Sequence, residues 1–380
     1  MNTKKQKGKG RAFLDFYARA GFTPTRQKKW DKKAHFCIRK HLYQQLGVSS
    51  SDFKGRSILE IGPGNGHNAL YWASLRPQKG ALLDGTLTSL QDTKNLLRAN
   101  YPRSRFTYIL QDLNQFREGE KYDVVICEGT IPFQHNPVKF FKKIMKLVRP
   151  GGLMIVTCVD SVGVLADILR KFRGQWLALN AKSIPEKVSI LKKEFHKDLQ
   201  LLSGMTRRAE DWVVDQIIHP WVGRLFSIEN ALDCVGKQFT VRGTSPNFIQ
   251  DWRWHKQIPI KRPDFNKNAL RYYYKNIFSF LDHKNSHASS STADGKALLS
   301  ICNSIFQDVV TGIPSKRKAQ TISIKLKKIC ELLPPDAKTI RLALNEFSKE
   351  NTKANQARLK HFRSLWGRGQ QYIAFNKEME

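Results

Sequence analysis

From Ala12 to about Leu46 the apolar residues recur at helical spacing, with Pro24 breaking the run into two helices. A polar linker, Ser49–Lys54, follows. Over residues 55–160 the pattern changes: short apolar runs alternate with amphipathic stretches, as in a parallel α/β sheet. Strands are predicted at Ser57–Ile61, Ala81–Leu83, Phe106–Leu110, Asp123–Cys127 and Leu153–Cys158. Helices fit between them at about His67–Leu75, Leu87–Asn100 and Pro137–Val148. Arg149-Pro150-Gly151-Gly152 reads as a helix stop leading into a buried strand. Residues 161–223 are helical, and a helix (Ile228–Val235) and a strand (Gln238–Gly243) then resume the sheet pattern. The remainder is again mostly helical, interrupted by the polar loop Lys284–Asp294. The expected organisation is a basic tail and helices over 1–54, a sheet core over 55–160 and a helical insertion over 161–223. Completion of the sheet is expected over 224–258, and a helical C-terminal region over 259–380.

The densest chemistry lies in Ile58-Leu59-Glu60-Ile61-Gly62-Pro63-Gly64-Asn65-Gly66-His67-Asn68. A buried strand ends in a carboxylate, then a glycine-rich turn, then an amphipathic helix. Glycines allow the sharp turn and a close approach to a ligand where a Cβ would collide. Their spacing is G-x-G-x-G, unlike the G-x-G-x-x-G of nicotinamide and flavin sites. The second strand ends at Asp84, where a carboxylate is placed to accept hydrogen bonds from two ribose hydroxyls. After the third strand, Asp112 can accept from an adenine amino group while Leu113 packs on the ring. The fourth strand ends at Glu128-Gly129-Thr130, where the far end of such a ligand would meet an acceptor.

This order of elements, with the strand YDVVICEG and the block LVRPGGLMIVT, resembles the class I S-adenosylmethionine-dependent methyltransferases. The resemblance implies a seven-stranded Rossmann-like sheet and S-adenosylmethionine as methyl donor. Its cofactor-binding residues would be Glu60, Gly62, Gly64, Asn65, Gly66, Asp84, Asp112, Leu113 and Glu128. Further blocks resemble a bacterial group of large class I methyltransferases with no assigned acceptor: TPTRQ (23–27), LLSGMTRRAEDWVVDQIIHP (201–220), SPNFIQDWRWHK (245–256) and WGRGQQYIAF (366–375).

Acceptor chemistry is less directly written. The insertion follows the fifth strand, at the sheet edge where ligands bind in open α/β folds. On a helix, Arg207, Asp211 and Asp215 share one face and could hold an anionic or polyhydroxyl acceptor, or simply pair with one another. Asp251 and Arg253 fall on one side of an extended DWRWH segment, and Arg368 stands between two glycines with its fork free for a carboxylate or phosphate. If the acceptor is a hydroxyl, a base is needed; Glu128, His135 and Asp160 sit beside the ends of the fourth and fifth strands, and His135 titrates nearest neutrality. The position after the fourth strand, Glu128-Gly129-Thr130-Ile131, lacks the [DNS]-P-P-[YFW] motif of amino-group methylation in nucleic acids. Cys158 lacks the Pro-Cys partner of cytosine carbon-5 methylation, so it reads as a small buried residue.

Composition bounds the partners. The chain of 380 residues is 41% hydrophobic and 26% charged, an ordinary globular balance. No stretch approaches the roughly 20 apolar residues of a membrane span, and the basic N-terminus is not followed by an apolar segment of signal type. Six scattered cysteines, with no CxxC pair, argue against a zinc site or a disulfide framework and for a reducing cytoplasm. With 65 Lys and Arg against 32 Asp and Glu, the formal charge is +33, which draws anions of any kind. The reading is a methyltransferase for a small-molecule or glycan- or lipid-linked metabolite. An RNA methyltransferase using the basic surface, or a non-catalytic interaction protein of the same fold, are the alternatives. Oligomeric state is not written in the sequence.

Overall fold

The computed structural model describes residues 30–379 apart from 113–114, 117–118, 203, 206, 220, 222–223, 250–253, 258–264 and 351–358. Asp31 opens the first helix, α1 (Lys32–Gln45), by accepting from the Lys33 and Ala34 N–H groups. The sheet layer then follows as β1 (Ser57–Ile61), α2 (His67–Ala73), β2 (Lys79–Asp84), α3 (Leu87–Asn100), β3 (Phe106–Leu110), β4 (Tyr122–Cys127), α4 (Pro137–Lys146) and β5 (Val148–Cys158). The insertion comprises α5 (Leu165–Leu177), α6 (Ile184–Gln200) and α7 (Ala209–Trp212), which runs into a π-helical turn, Val213–Ile218. Next come α8 (Ile228–Val235), β6 (Phe239–Ser245), α9 (Phe265–Asn276), α10 (Thr292–Val310), α11 (Lys316–Leu332), α12 (Lys338–Glu350), α13 (Lys360–Ser364) and β7 (Gln371–Lys377).

Seven strands form one sheet in the order β3-β2-β1-β4-β5-β7-β6. The first five are parallel, and β7 is antiparallel to both neighbours. Strand order reverses between β1 and β4, so their carboxyl ends open the crevice where doubly wound sheets bind ligands. Both faces are covered, which is why the central strands read as continuous apolar runs rather than alternating ones. One face packs Leu70, Trp72, Leu90 and Leu97 of α2 and α3 with Tyr43 of α1. The other packs Phe140, Phe141 and Ile144 of α4 with α8 and the C-terminal helices. Among the described residues no helix is long and apolar enough to cross a membrane.

Two expectations need correction. The region 259–380 is not purely helical: it supplies β7, which lies between β5 and β6, so residues 224–258 do not complete the sheet alone. The burial pattern of Gln371–Phe375 is that of a central strand, but its short apolar run sits in a polar tail and gives little periodicity to detect. The second concerns Arg149–Gly152, expected as a stop before the strand. These residues are the start of β5 itself, and at Gly152 a Cβ would lie 2.8 Å from the Arg149 carbonyl and 2.9 Å from that of Asp123.

Candidate donor site at the sheet crevice

The crevice is lined first by the turn after β1. Gly62, Gly64 and Gly66 have φ of 72°, 59° and 81°, a left-handed run that side chains disfavour. A Cβ at Gly62 would overlap the Thr130 hydroxyl, and one at Gly66 would lie 2.9 Å from Thr93 Cα. Backbone therefore meets the β4 loop on one side and α3 on the other. The Thr93 hydroxyl ties the turn to α3 by donating to the Gly64 carbonyl at 2.9 Å. Asn65 accepts from the His67 N–H at 3.4 Å.

Asp84 ends β2 with its carboxylate nearly buried. One oxygen, Oδ1, accepts from the Thr86 N–H and hydroxyl, both at 2.8 Å. Burial raises its pKa, opposed by those bonds and by the Gly64 and Gly85 N–H groups. Asp112 is half-buried just past β3, and its carbonyl accepts from the Gln115 N–H; Leu113 lies outside the described residues. Glu60 is buried beneath the turn and accepts from the Trp72 indole at 2.6 Å. Burial, then the charge of Glu128, push its pKa up to about 7. Glu60 thus supports the turn from below.

Glu128, just past β4, is held by a residue the sequence reading missed. Arg39 of α1 chelates it, Nη1 to Oε2 at 2.8 Å and Nη2 to Oε1 at 2.5 Å. Asn68 donates to Oε2 at 3.0 Å. Arg39 also donates to the Tyr43 hydroxyl at 2.7 Å. Nothing local in KKAHFCIRKH marks Arg39, since its partner is 89 residues away. Its one signal is position on the apolar face beside Tyr43 at i+4.

The other proposed bases sit differently. His135 is exposed in the turn before α4. Asp160 is buried, with Oδ1 accepting from the Gly163 N–H at 2.6 Å and Oδ2 from the Tyr273 hydroxyl at 3.1 Å. Burial lifts its pKa to about 6. With both oxygens occupied inside the fold, Asp160 braces the β5–α5 turn.

Of the proposed acceptor residues, Arg207, Asp211 and Arg368 are described. Arg207 precedes α7 rather than lying on it, and pairs with Asp215 at 2.8 Å; Asp211 is buried. Asp251 and Arg253 lie outside the described residues. Arg368 is not free: Nε donates to the Ser279 carbonyl at 2.7 Å and Nη2 to that of Asn285 at 3.0 Å. Its flanking glycines serve backbone crossing, since a Cβ at Gly367 would overlap the Gly163 carbonyl. Arg368 therefore clamps the strap before β7.

The residues of the crevice fit an adenosyl ligand. The turn leaves no room for a Cβ at Gly62 or Gly66, a carboxylate with one oxygen already oriented ends β2, and a second carboxylate follows β3.

A methyltransferase domain family matches residues 52–210. Among relatives, the tRNA U34 carboxymethyltransferase of Idiomarina loihiensis is 21% identical over 191 residues, 46% of this chain and 57% of that protein. The malonyl-[acyl-carrier protein] O-methyltransferase 2 of Ilyobacter polytropus is 24% identical over 130 residues, 34% of this chain and 48% of its own. The chain thus spans about half the length of the curated relatives it matches. A solved structure, PKMT2 from Rickettsia typhi, aligns at TM-score 0.40 and 15% identity over 67% of this chain and 50% of its own. Residues 52–210 thus match a methyltransferase domain, and the seven-stranded sheet they help build has the α/β class I methyltransferase fold.

Proposed function

We propose that the chain transfers the methyl group of S-adenosylmethionine to a small-molecule or glycan- or lipid-linked acceptor, anionic or polyhydroxyl in character. The observation that carries the donor half is the cradle: a left-handed glycine turn against Thr130, with Asp84 at the end of the neighbouring strand. Asp84 would hold the ribose hydroxyls, Asp112 the adenine amino group, and Gly62, Gly64 and Gly66 the backbone approach. When bound, the sulfonium supplies an electrophilic methyl group. The chain's own part is then alignment and exclusion of water. Of the three proposed bases, Glu128 is the one held at the end of β4 by an ion pair, so it orients rather than abstracts.

The acceptor reading is supported by the insertion, whose first helix joins the main core through Leu165, Ile168, Leu169 and Phe172 rather than being appended as a separate module. The net charge of +33 favours RNA as a second reading. Calorimetry with S-adenosylhomocysteine tests the donor half, and Asp84→Ala should abolish measurable binding; a chain that binds no donor product refutes the proposal. Transfer of labelled methyl to lysate fractions then sorts RNA, lipid, glycan and small metabolites. Label confined to the RNA fraction would replace the first acceptor reading with the second.

A further inference from the structure

Arg39 and Glu128 form a buried ion pair whose side chains are 4% and 6% exposed. Such pairs are poor devices for stability alone, because desolvating two charges offsets most of their attraction. This one is also incomplete: the Arg39 Nε–H is buried with no hydrogen-bond acceptor. The location of the pair gives it a role beyond packing. Glu128 stands at the carboxyl end of β4, across the reversal of strand order from β1.

The surroundings are crowded with groups that feel the pair. Glu60 lies close enough for the Glu128 charge to raise its pKa, and Arg39 opposes that effect. Tyr372 on β7 has its hydroxyl pushed up to about 12 by burial and then by Glu128, against the pull of Arg39. The guanidinium also lies over the Tyr43 ring at 4.7 Å. Arg39 thus neutralises Glu128, which neighbours a second buried carboxylate, and ties α1 to the carboxyl end of β4.

We propose that Arg39 is a positioning residue for the methyl donor: it holds Glu128 as an oriented carboxylate for the donor's ammonium group and keeps α1 seated across the crevice. This rests on the donor reading above. It differs from a structural role in one respect: the charge must sit on this side of the pair, with the carboxylate at position 128.

The test uses the full chain, S-adenosylhomocysteine binding by calorimetry, and thermal melting of the same samples. Arg39→Met should weaken binding by about thirtyfold or more, the lower end of the range for unpairing a buried charge. Arg39→Lys, which keeps the charge but loses the fork, should fall between that and wild type. Two further variants keep the inference testable if Arg39→Met folds badly. The apolar replacement Arg39→Met with Glu128→Leu should melt close to wild type and still bind weakly. The exchanged pair Arg39→Glu with Glu128→Arg should recover melting temperature without recovering binding. An exchanged pair or apolar pair that binds like wild type overturns the proposal, as does wild-type affinity in a folded Arg39→Met. A wild-type chain that binds no ligand removes the donor reading as well, whereas wild-type binding unaffected by Arg39→Met removes this inference alone.

Discussion

Replacing Gly62 with alanine tests the crevice at its tightest point. The added Cβ overlaps the Thr130 hydroxyl and would lie 3.4 Å from Thr130 Cβ and 3.6 Å from its Cγ2. Gly62 also sits at φ 72°, where a side chain costs about 1–2 kcal/mol. Relieving the overlap means displacing Thr130, at about 1–3 kcal/mol for forced repacking. Its hydroxyl, 3.3 Å from the Glu128 carbonyl, would surrender a bond worth about 1 kcal/mol. Together these predict a loss of about 3–6 kcal/mol, or a fall of roughly 4–8 °C in Tm for a chain of this size. Adding Thr130→Ala removes the overlap but not the backbone strain. The double variant should therefore regain about 1–3 kcal/mol, a coupling expected only between touching residues. Thermal melts of wild type, both single variants and the double variant give the full cycle. Additive losses, or a Gly62→Ala chain that melts with wild type, would refute the contact.

Glu60→Gln removes a carboxylate whose folded pKa is raised from 4.5 to about 7. Because the unfolded chain ionises first, wild-type stability falls as pH rises from the lower value through the higher, by about 3 kcal/mol. The variant should melt higher than wild type at pH 8 and lose that advantage below pH 5; an equal offset at both pH values would contradict the assignment. Asp84→Asn keeps the bulk of a group that accepts from Thr86 but loses the charge, so donor affinity should drop by about tenfold, and an unchanged affinity by calorimetry would remove Asp84 from the site. Arg368→Ala deletes one part-buried and one exposed bond to backbone carbonyls and should lower stability by about 1–2 kcal/mol while leaving donor affinity intact; the reverse outcome would restore Arg368 to ligand binding.

What could be read from the chain follows how local each signal is. The turn after β1, the acids ending β2 and following β3, and the span of α3 are written within a few residues of themselves, and the structure finds β1, β3, α3 and α8 at the predicted limits. Arg39, Asp160 and Arg368 depend on partners far off in sequence: Glu128, Tyr273 and Ser279. A carboxylate or guanidinium that looks available in a loop is claimed by a backbone carbonyl or a tyrosine that only the fold brings near. The expected helical face of Arg207 and Asp215 failed differently: Arg207 precedes the helix, and the π-helical turn shifts the spacing on which the face depends.

The placement of β7 has a consequence for how the molecule is made. Its two neighbours, β5 and β6, are synthesised long before it, and roughly 210 residues separate Cys158 from Gln371; at about 5–20 residues per second, β5 waits some 10–40 s for its partner. Throughout that interval two apolar strands present unpaired edges, the condition under which nascent sheets associate with one another. A stop codon a dozen residues before the end would make the condition permanent, leaving a chain with every predicted donor residue and an open sheet.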